Sequence, residues 1–280
     1  MIDKKELLKI VKAALKEDIG KGDITTKFTV PSETNALGVV VAKEEGVLAG
    51  IQVAKEVFKV VDKKTKITVH KKDGAKFISG DIIADIQGKA DSLLSAERVA
   101  LNFLQRISGI ATYTARYVEK IKGTKAKILD TRKTTPNLRM LEKYAVHIGG
   151  GYNHRMGLYD QVLIKDNHIN LGDGISNVLN RIKDADTNKI FIEIEVKNLS
   201  QLGEALKFNL NRIMLDNMST ENIKEAVKIV GGRCELEVSG NVNLQNIREI
   251  AETGVDYISV GSLTHSYKSI DLSMGIRRVG

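Results

Sequence analysis

Apolar residues recur along this chain in two rhythms, and the change from one to the other divides it. Over residues 3–17, Leu7, Val11, Ala14 and Leu15 fall on one face at the spacing of an amphipathic helix. A loop rich in Gly and Asp, Glu17 to Thr26, follows. Strands are expected at 35–43 and 66–71 with a helix at 51–62 between them, and Lys76 to Gln87 alternates like a further strand around Ser79-Gly80-Asp81. Residues 92–122 read as one long helix with Leu94, Val99, Phe103, Leu104, Ile107 and Ile110 on its apolar face. Gly109 is expected to break or bend it. The N-terminal part is therefore an α+β domain.

Beyond the long helix, apolar strand candidates at 126–129, 161–164, 190–196, 212–215, 234–238 and 256–260 alternate with helix candidates at 138–147, 173–185, 198–207, 219–230 and 243–253. Asn243 is the expected N-cap of the last of these helices and Gly254 its stop. Such alternation implies a parallel sheet, and near-continuous apolar strands imply burial on both faces. Six strands fall short of eight, so the fold class is α/β with an incomplete (β/α) barrel. An open doubly wound sheet is the alternative. Gly149-Gly150-Gly151 follows a helix rather than a strand, so the glycine fingerprint of a dinucleotide fold is absent.

The totals narrow the class further. The chain has 280 residues, of which 42% are hydrophobic and 28% charged, enough for one large or two medium domains. No apolar run approaches a membrane span, and the charged start Met1-Ile2-Asp3-Lys4 lacks the apolar core of a signal peptide. The expected location is cytoplasmic, with no membrane partner. The single cysteine, Cys234, excludes an internal disulfide and reads as core. A net charge of +8 suggests nucleic acid, but the lysines are dispersed among Glu and Asp, so a solvated basic surface is expected and no nucleic-acid partner.

Chemistry concentrates between Leu129 and Asn170. Thr131-Arg132-Lys133 and Lys165-Asp166-Asn167-His168 each follow a short apolar run, and His154-Arg155 lies between them. Strand ends converge in an α/β barrel, so two Arg, two Lys and a His there describe a pocket for an anion with several charges. His154 is a candidate ligand contact, and His168 braces the loop around Lys165. His70 and His147 read as surface or structural, and His265 as part of the barrel tail. Glu195 and Asp216 end later strands. Either they bind ribose hydroxyls or a hydrated magnesium ion, or they pair with Lys165 or Lys133. Glu193 and Glu237 are either ligand contacts or a structural charged layer. Two turns, Ser239-Gly240-Asn241 and Val260-Gly261-Ser262, follow the last two strands, the usual place of a phosphate cradle.

Ala96-Glu97-Arg98-Val99-Ala100-Leu101-Asn102, Ser108-Gly109-Ile110-Ala111-Thr112, Thr131 to Pro136, His154-Arg155, Lys165 to His168, Glu195, Leu215-Asp216-Asn217, Glu237 to Gly240 and Val260 to Ser262 together resemble the quinolinate phosphoribosyltransferases over nearly the whole chain. A paralogue linked to molybdenum transport shares some of these motifs, and the complete basic set argues against it. The resemblance implies a sandwich domain at 1–110, joined by the tail 268–280, and a barrel at 111–267. It implies transfer of the phosphoribosyl group of 5-phosphoribosyl-1-diphosphate to quinolinate with decarboxylation. Quinolinate contacts would be Arg98, Thr131, Arg132, His154, Arg155 and Lys165. Phosphoribosyl diphosphate contacts would be Lys133, Glu195, Asp216, Ser239, Gly240, Asn241, Val260, Gly261 and Ser262, with Lys133, Glu195 and Asp216 catalytic. Magnesium would sit at Glu195 and Asp216 through water, with no organic cofactor. The family also implies a homodimer in which Arg98 enters the neighbour's site, with a hexamer of three dimers as the larger assembly. A binding-only barrel and a nucleic-acid protein are the rival classes.

Overall fold

The computed structural model describes residues 2–184 and 190–279, and residue 185, the expected end of the helix at 173–185, lies outside them. In chain order the elements begin α1 (Lys4–Ile19), α2 (Ile24–Thr29), β1 (Asn35–Ala42), β2 (Gly46–Val47), α3 (Ile51–Val61), β3 (Lys66–Val69), β4 (Lys76–Phe77), β5 (Ile82–Lys89) and α4 (Ala90–Lys120). They continue β6 (Lys127–Leu129), α5 (Arg139–Ile148), β7 (Val162–Ile164), α6 (Asp166–Leu171), α7 (Ile175–Asp184), β8 (Ile192–Val196) and α8 (Leu199–Ala205). The last are β9 (Arg212–Asp216), α9 (Thr220–Val230), β10 (Glu235–Ser239), α10 (Ile247–Glu252), β11 (Tyr257–Ser259), α11 (Ser262–His265) and β12 (Leu272–Arg278). Among the described residues no helix is long and apolar enough to cross a membrane.

Two compact units result. One contains residues 1–115, 134–150 and 266–280, the other 116–133 and 151–265. The first is built on an antiparallel sheet in the order β12-β1-β5-β3. The tail strand β12 pairs along the whole of β1, from Ala36 with Arg278 to Ala42 with Leu272. Helix α3 buries Ile51, Val53, Ala54, Val57 and Phe58, and its first N–H groups, from Gly50 and Ile51, donate to the Asp73 carboxylate. The break allowed for at Gly109 does not occur: α4 continues through it. A Cβ there would lie 2.4 Å from the Lys268 carbonyl oxygen, so glycine serves close backbone approach rather than a kink. Its neighbours Ser108 and Thr112 accept hydrogen bonds from the N–H groups of Ala49 and Val47, at 3.0 and 2.9 Å. The loop expected through Thr26 also needs correction, because Asp23 accepts from the Thr26 N–H and starts α2.

The second unit is a six-stranded parallel sheet in the order β6-β11-β10-β9-β8-β7, its strands β7 to β11 alternating along the chain with helices α6 to α10. The edge strands β6 and β7 do not pair with each other among the described residues, so the barrel stays incomplete. A parallel bridge from Leu129 to Tyr152 carries the chain along the free side of β6. Helix α10 begins at Ile247 after Asn246, not after Asn243. The Asn243 side chain instead accepts from the Gln245 and Asn246 N–H groups, an Asx turn that delays the helix. Gly254, at φ +93°, sits just past its end, as expected.

Candidate active site

Side chains alternate across a strand, so each strand of the second unit sends every other residue to the same face. On that face β8 carries Glu193 and Glu195, β9 carries Arg212, Met214 and Asp216, β10 carries Glu235, Glu237 and Ser239, and β11 carries Tyr257 and Ser259. The register stacks them. Glu193 and Glu235 stand opposite Arg212, Glu195 and Glu237 opposite Met214, and Ser239 opposite Asp216. A polar column thus runs up the interior, with a lower layer and an upper one.

Most of the lower layer is paired, although Glu193 Oε1 has no hydrogen-bond partner among the described residues. Arg212 donates to Glu237 Oε2 at 3.0 Å and to Glu235 Oε2 at 2.9 Å, and its guanidinium stacks 3.9 Å from the Tyr257 ring centre. Ser259 donates to Glu237 Oε1. Gln161 and His154 both reach Glu193 Oε2, at 3.0 Å each. Burial pushes the Glu193 carboxyl up to about 7 against the pull of Arg212. Burial and the Glu193 charge push Glu237 up to about 8. The ligand atoms of His154, Glu193 and Glu237 lie within 4.8 Å of one another, the spacing of an ion cage. Arg212, Ser259 and Gln161 already donate to these carboxylates, so the trio is a charged layer of the fold instead.

The upper layer opens into a cavity of about 660 Å³ lined entirely by the second unit. Of the residues singled out from sequence, Thr131, Arg132, Lys133, His154, Arg155, Lys165, Glu195, Asp216, Ser239, Gly240, Asn241, Gly261 and Ser262 line it. Val260 is buried behind its turn and does not. Arg98 is exposed on α4 in the first unit, and the cavity lining does not include it.

Three features say what this cavity takes. Arg155 is largely buried, and desolvation and the facing charge of Arg132 hold its guanidinium below the usual range. Its Nε has no hydrogen-bond partner among the described residues. Two guanidiniums held against their own repulsion, with Lys165 on the same wall, suit a ligand with two carboxylates. Across from them, burial and the neighbouring Asp216 charge raise the Glu195 carboxyl, and Lys165 Nζ reaches only to 3.8 Å. Glu195 thus makes a loose ion pair with Lys165 and, with Asp216, presents an oxygen-only donor set of the kind a hard, hydrated cation takes. Finally, Gly240 holds φ +93° between Asn217 and Asn241, themselves at φ +54° and +50°. A Cβ on Gly240 would fall 2.3 Å from Asn217 Oδ1, and one on Gly261 3.1 Å from Lys133 Cδ. Both turns are cradles that a side chain would fill.

Local bonds hold this rim. Buried Asp130 at the end of β6 accepts from the His154 N–H at 2.9 Å and from Asn153 at 2.6 Å, so it organises the loop rather than reacting. Thr131 accepts from the Lys133 N–H, and Thr264 donates to the Lys133 carbonyl at 2.8 Å. His168 accepts from the Lys165 N–H at 2.9 Å, as expected of a brace. His70 and His147 are exposed. Cys234 is half-buried just before β10, and burial pushes its thiol up, away from a nucleophile's range. Sequence reading missed His265 and Asn217 as cavity residues. For His265 the available signal was its spacing three residues after Ser262, which puts both on one side of α11.

The sequence profile described as quinolinate phosphoribosyl transferase, C-terminal domain, matches residues 110–275, and its N-terminal-domain counterpart matches residues 23–108. A probable nicotinate-nucleotide pyrophosphorylase [carboxylating] of Bacillus subtilis is 43% identical, over 97% of this chain and 93% of its own. A quinolinate phosphoribosyltransferase [decarboxylating] of Nicotiana tabacum is also 43% identical, over 97% and 82%. Among solved structures, NadC from Streptococcus pyogenes superposes with a TM-score of 0.96 at 42% identity, covering 100% of this chain and 99% of that one.

Proposed function

The chain belongs to the quinolinate phosphoribosyl transferase family, and from that premise we propose that its cavity joins quinolinate to 5-phosphoribosyl-1-diphosphate and releases diphosphate and carbon dioxide. The product is nicotinate mononucleotide, a precursor of NAD. The observation that carries this reading is the opposed pair Arg132 and Arg155 beside Lys165, in one cavity with Glu195, Asp216 and two glycine turns.

Quinolinate carries two adjacent carboxylates on a pyridine ring. Arg132, Arg155 and Lys165 grip them and leave the ring nitrogen facing the sugar. Gly240 and Gly261 with their neighbours take the 5-phosphate on backbone N–H groups. Glu195 and Asp216 hold the ribose hydroxyls, and Lys133 lies over the diphosphate. The ring nitrogen then attacks the anomeric carbon as the carbon–oxygen bond to diphosphate breaks. Positive charge grows on the ribose beside Glu195 and Asp216, and negative charge on diphosphate beside Lys133, so electrostatics and alignment supply the catalysis. Magnesium, held through water by Glu195 and Asp216, would neutralise the diphosphate when bound. The new pyridinium accepts the electron pair left when the adjacent carboxylate departs as carbon dioxide, and a proton then takes that position. No organic cofactor enters the scheme.

Arg98, exposed and set apart in sequence from every lining residue, is assigned to a neighbour's site in a homodimer, with three dimers as the larger form. The sandwich is assigned to 1–110 with the tail 268–280, the barrel to 111–267, and the location to the cytoplasm. The test is direct. Purified protein with quinolinate, phosphoribosyl diphosphate and magnesium should form nicotinate mononucleotide and carbon dioxide, whereas nicotinate in place of quinolinate should give none. Turnover of nicotinate alone would overturn the assignment.

A further inference from the structure

The segment that carries Arg155 has no sheet to hold it. It runs from the Tyr152 bridge beside β6 to the start of β7, the two edge strands that do not pair. Its order must come from side chains, and two of the bonds that hold Arg155 lead to the same atom. The Arg155 N–H donates to His154 Nδ1 at 2.7 Å, and the Arg155 guanidinium donates through Nη1 to the Gln161 carbonyl at 3.2 Å. Because His154 Nδ1 accepts, the ring proton lies on Nε2, which stands 3.0 Å from Glu193 Oε2 and 3.6 Å from Glu237 Oε2, an electrostatic contact rather than a formed hydrogen bond. The Gln161 side chain donates to that same oxygen at 3.0 Å.

We propose that Glu193 is a positioning residue for substrate recognition: one carboxylate oxygen accepts from Gln161 and faces the His154 ring, the two residues that fix the guanidinium and the backbone of Arg155. Glu193 is fully buried on β8, two residues below Glu195, and the cavity lining does not include it. It acts from beneath, giving a loop at the open seam of the barrel the rigidity that sheet neighbours give the other walls. In this account His154 grips no substrate through its ring nitrogens. One accepts from the Arg155 N–H and the other faces the Glu193 and Glu237 carboxylates, so the imidazole is a spacer of fixed tautomer.

The proposal rests on the quinolinate-transfer reading and is tested beside it. Wild type, Glu193→Ala, Glu193→Gln and Gln161→Leu are assayed as full-length protein with each substrate varied in turn, and each is checked for folding by thermal melting. Glu193→Ala should raise the quinolinate KM at least about tenfold and move the phosphoribosyl diphosphate KM by less than about twofold, because a displaced arginine loses alignment with only one substrate. Glu193→Gln keeps an oxygen for both donors and should recover most of the loss. If Glu193→Ala does not fold, Gln161→Leu decides, with a quinolinate KM raised about threefold as the expected value. Equal rises in both KM values, no recovery in Glu193→Gln, or an unchanged quinolinate KM in Gln161→Leu would overturn it. A wild-type protein that does not turn over quinolinate would overturn the underlying reading instead.

Discussion

Glu195 and Glu193 are the same residue type on the same strand, two positions apart, and they live in different chemistry. Both face the barrel interior and are pushed up by burial. Glu193 meets Gln161 and His154 at hydrogen-bond distance, within a layer closed by Arg212, Glu237 and Ser259. Glu195 has one lysine at 3.8 Å and a second carboxylate, Asp216, beside it. A buried carboxylate held by donors of the protein and shut away from the cavity belongs to the fold. One left short of partners at a cavity wall is waiting for a ligand. The boundary between structure and function in this barrel is one pleat of a strand.

The sharpest way to break that contrast is in the lower layer. Arg212→Ala leaves buried Glu237 without its cation and should cost about 3–5 kcal/mol of unfolding free energy in urea. A loss below about 1 kcal/mol would show that the layer is no structural unit. One pleat higher, Glu195→Gln should lower kcat/KM about a hundredfold, near 2.7 kcal/mol of transition-state stabilisation, with melting temperature unchanged or raised. The rise would come from removing a desolvated charge that Asp216 repels.

Gly240→Ala tests the cradle. At φ +93° and 2.3 Å from Asn217 Oδ1 the methyl cannot enter without moving the turn, so the phosphoribosyl diphosphate KM should rise about tenfold while the quinolinate KM holds.

The smallest effect is a slope. Glu193 and Glu237 titrate at about 7 and about 8 in the fold, above the ordinary 4.5. Groups raised in this way hold their proton more tightly when folded. Their contribution is complete below the unfolded value and is lost as pH rises through the folded values. Unfolding free energy should therefore decline between about pH 5 and pH 8. Glu237→Gln should flatten that decline, and an unchanged slope would place the effect elsewhere.

Where the sequence was legible, the signal was local. The alternation of apolar runs with helical spacing survives as six parallel strands and their helices because each element's burial is written in its own periodicity. The basic cluster was legible because strand ends converge whatever the loops do. What escaped depends on partners far along the chain. The tail's place with the sandwich came only from the family resemblance: strand β12, Leu272–Arg278, alternates weakly and pairs with β1, more than two hundred residues earlier. Gly109 reads as a kink until Lys268 and Ser269 are seen to pass over it. Helix α2 hides in a Gly- and Asp-rich stretch, although Asp23 carried its start signal. Nothing in Ile192-Glu193-Ile194-Glu195 separates the two glutamates. Only the distant Gln161, His154 and Asp216 do.

The most direct test is Arg132→Ala beside wild type, with nicotinate mononucleotide formed from quinolinate as the readout. Loss of one clamp leaves a carboxylate desolvated and unpaired, at about 2–5 kcal/mol. The predicted result is a fall of at least about tenfold in kcat/KM for quinolinate with the phosphoribosyl diphosphate KM little changed. Wild-type kinetics in that variant would contradict the account.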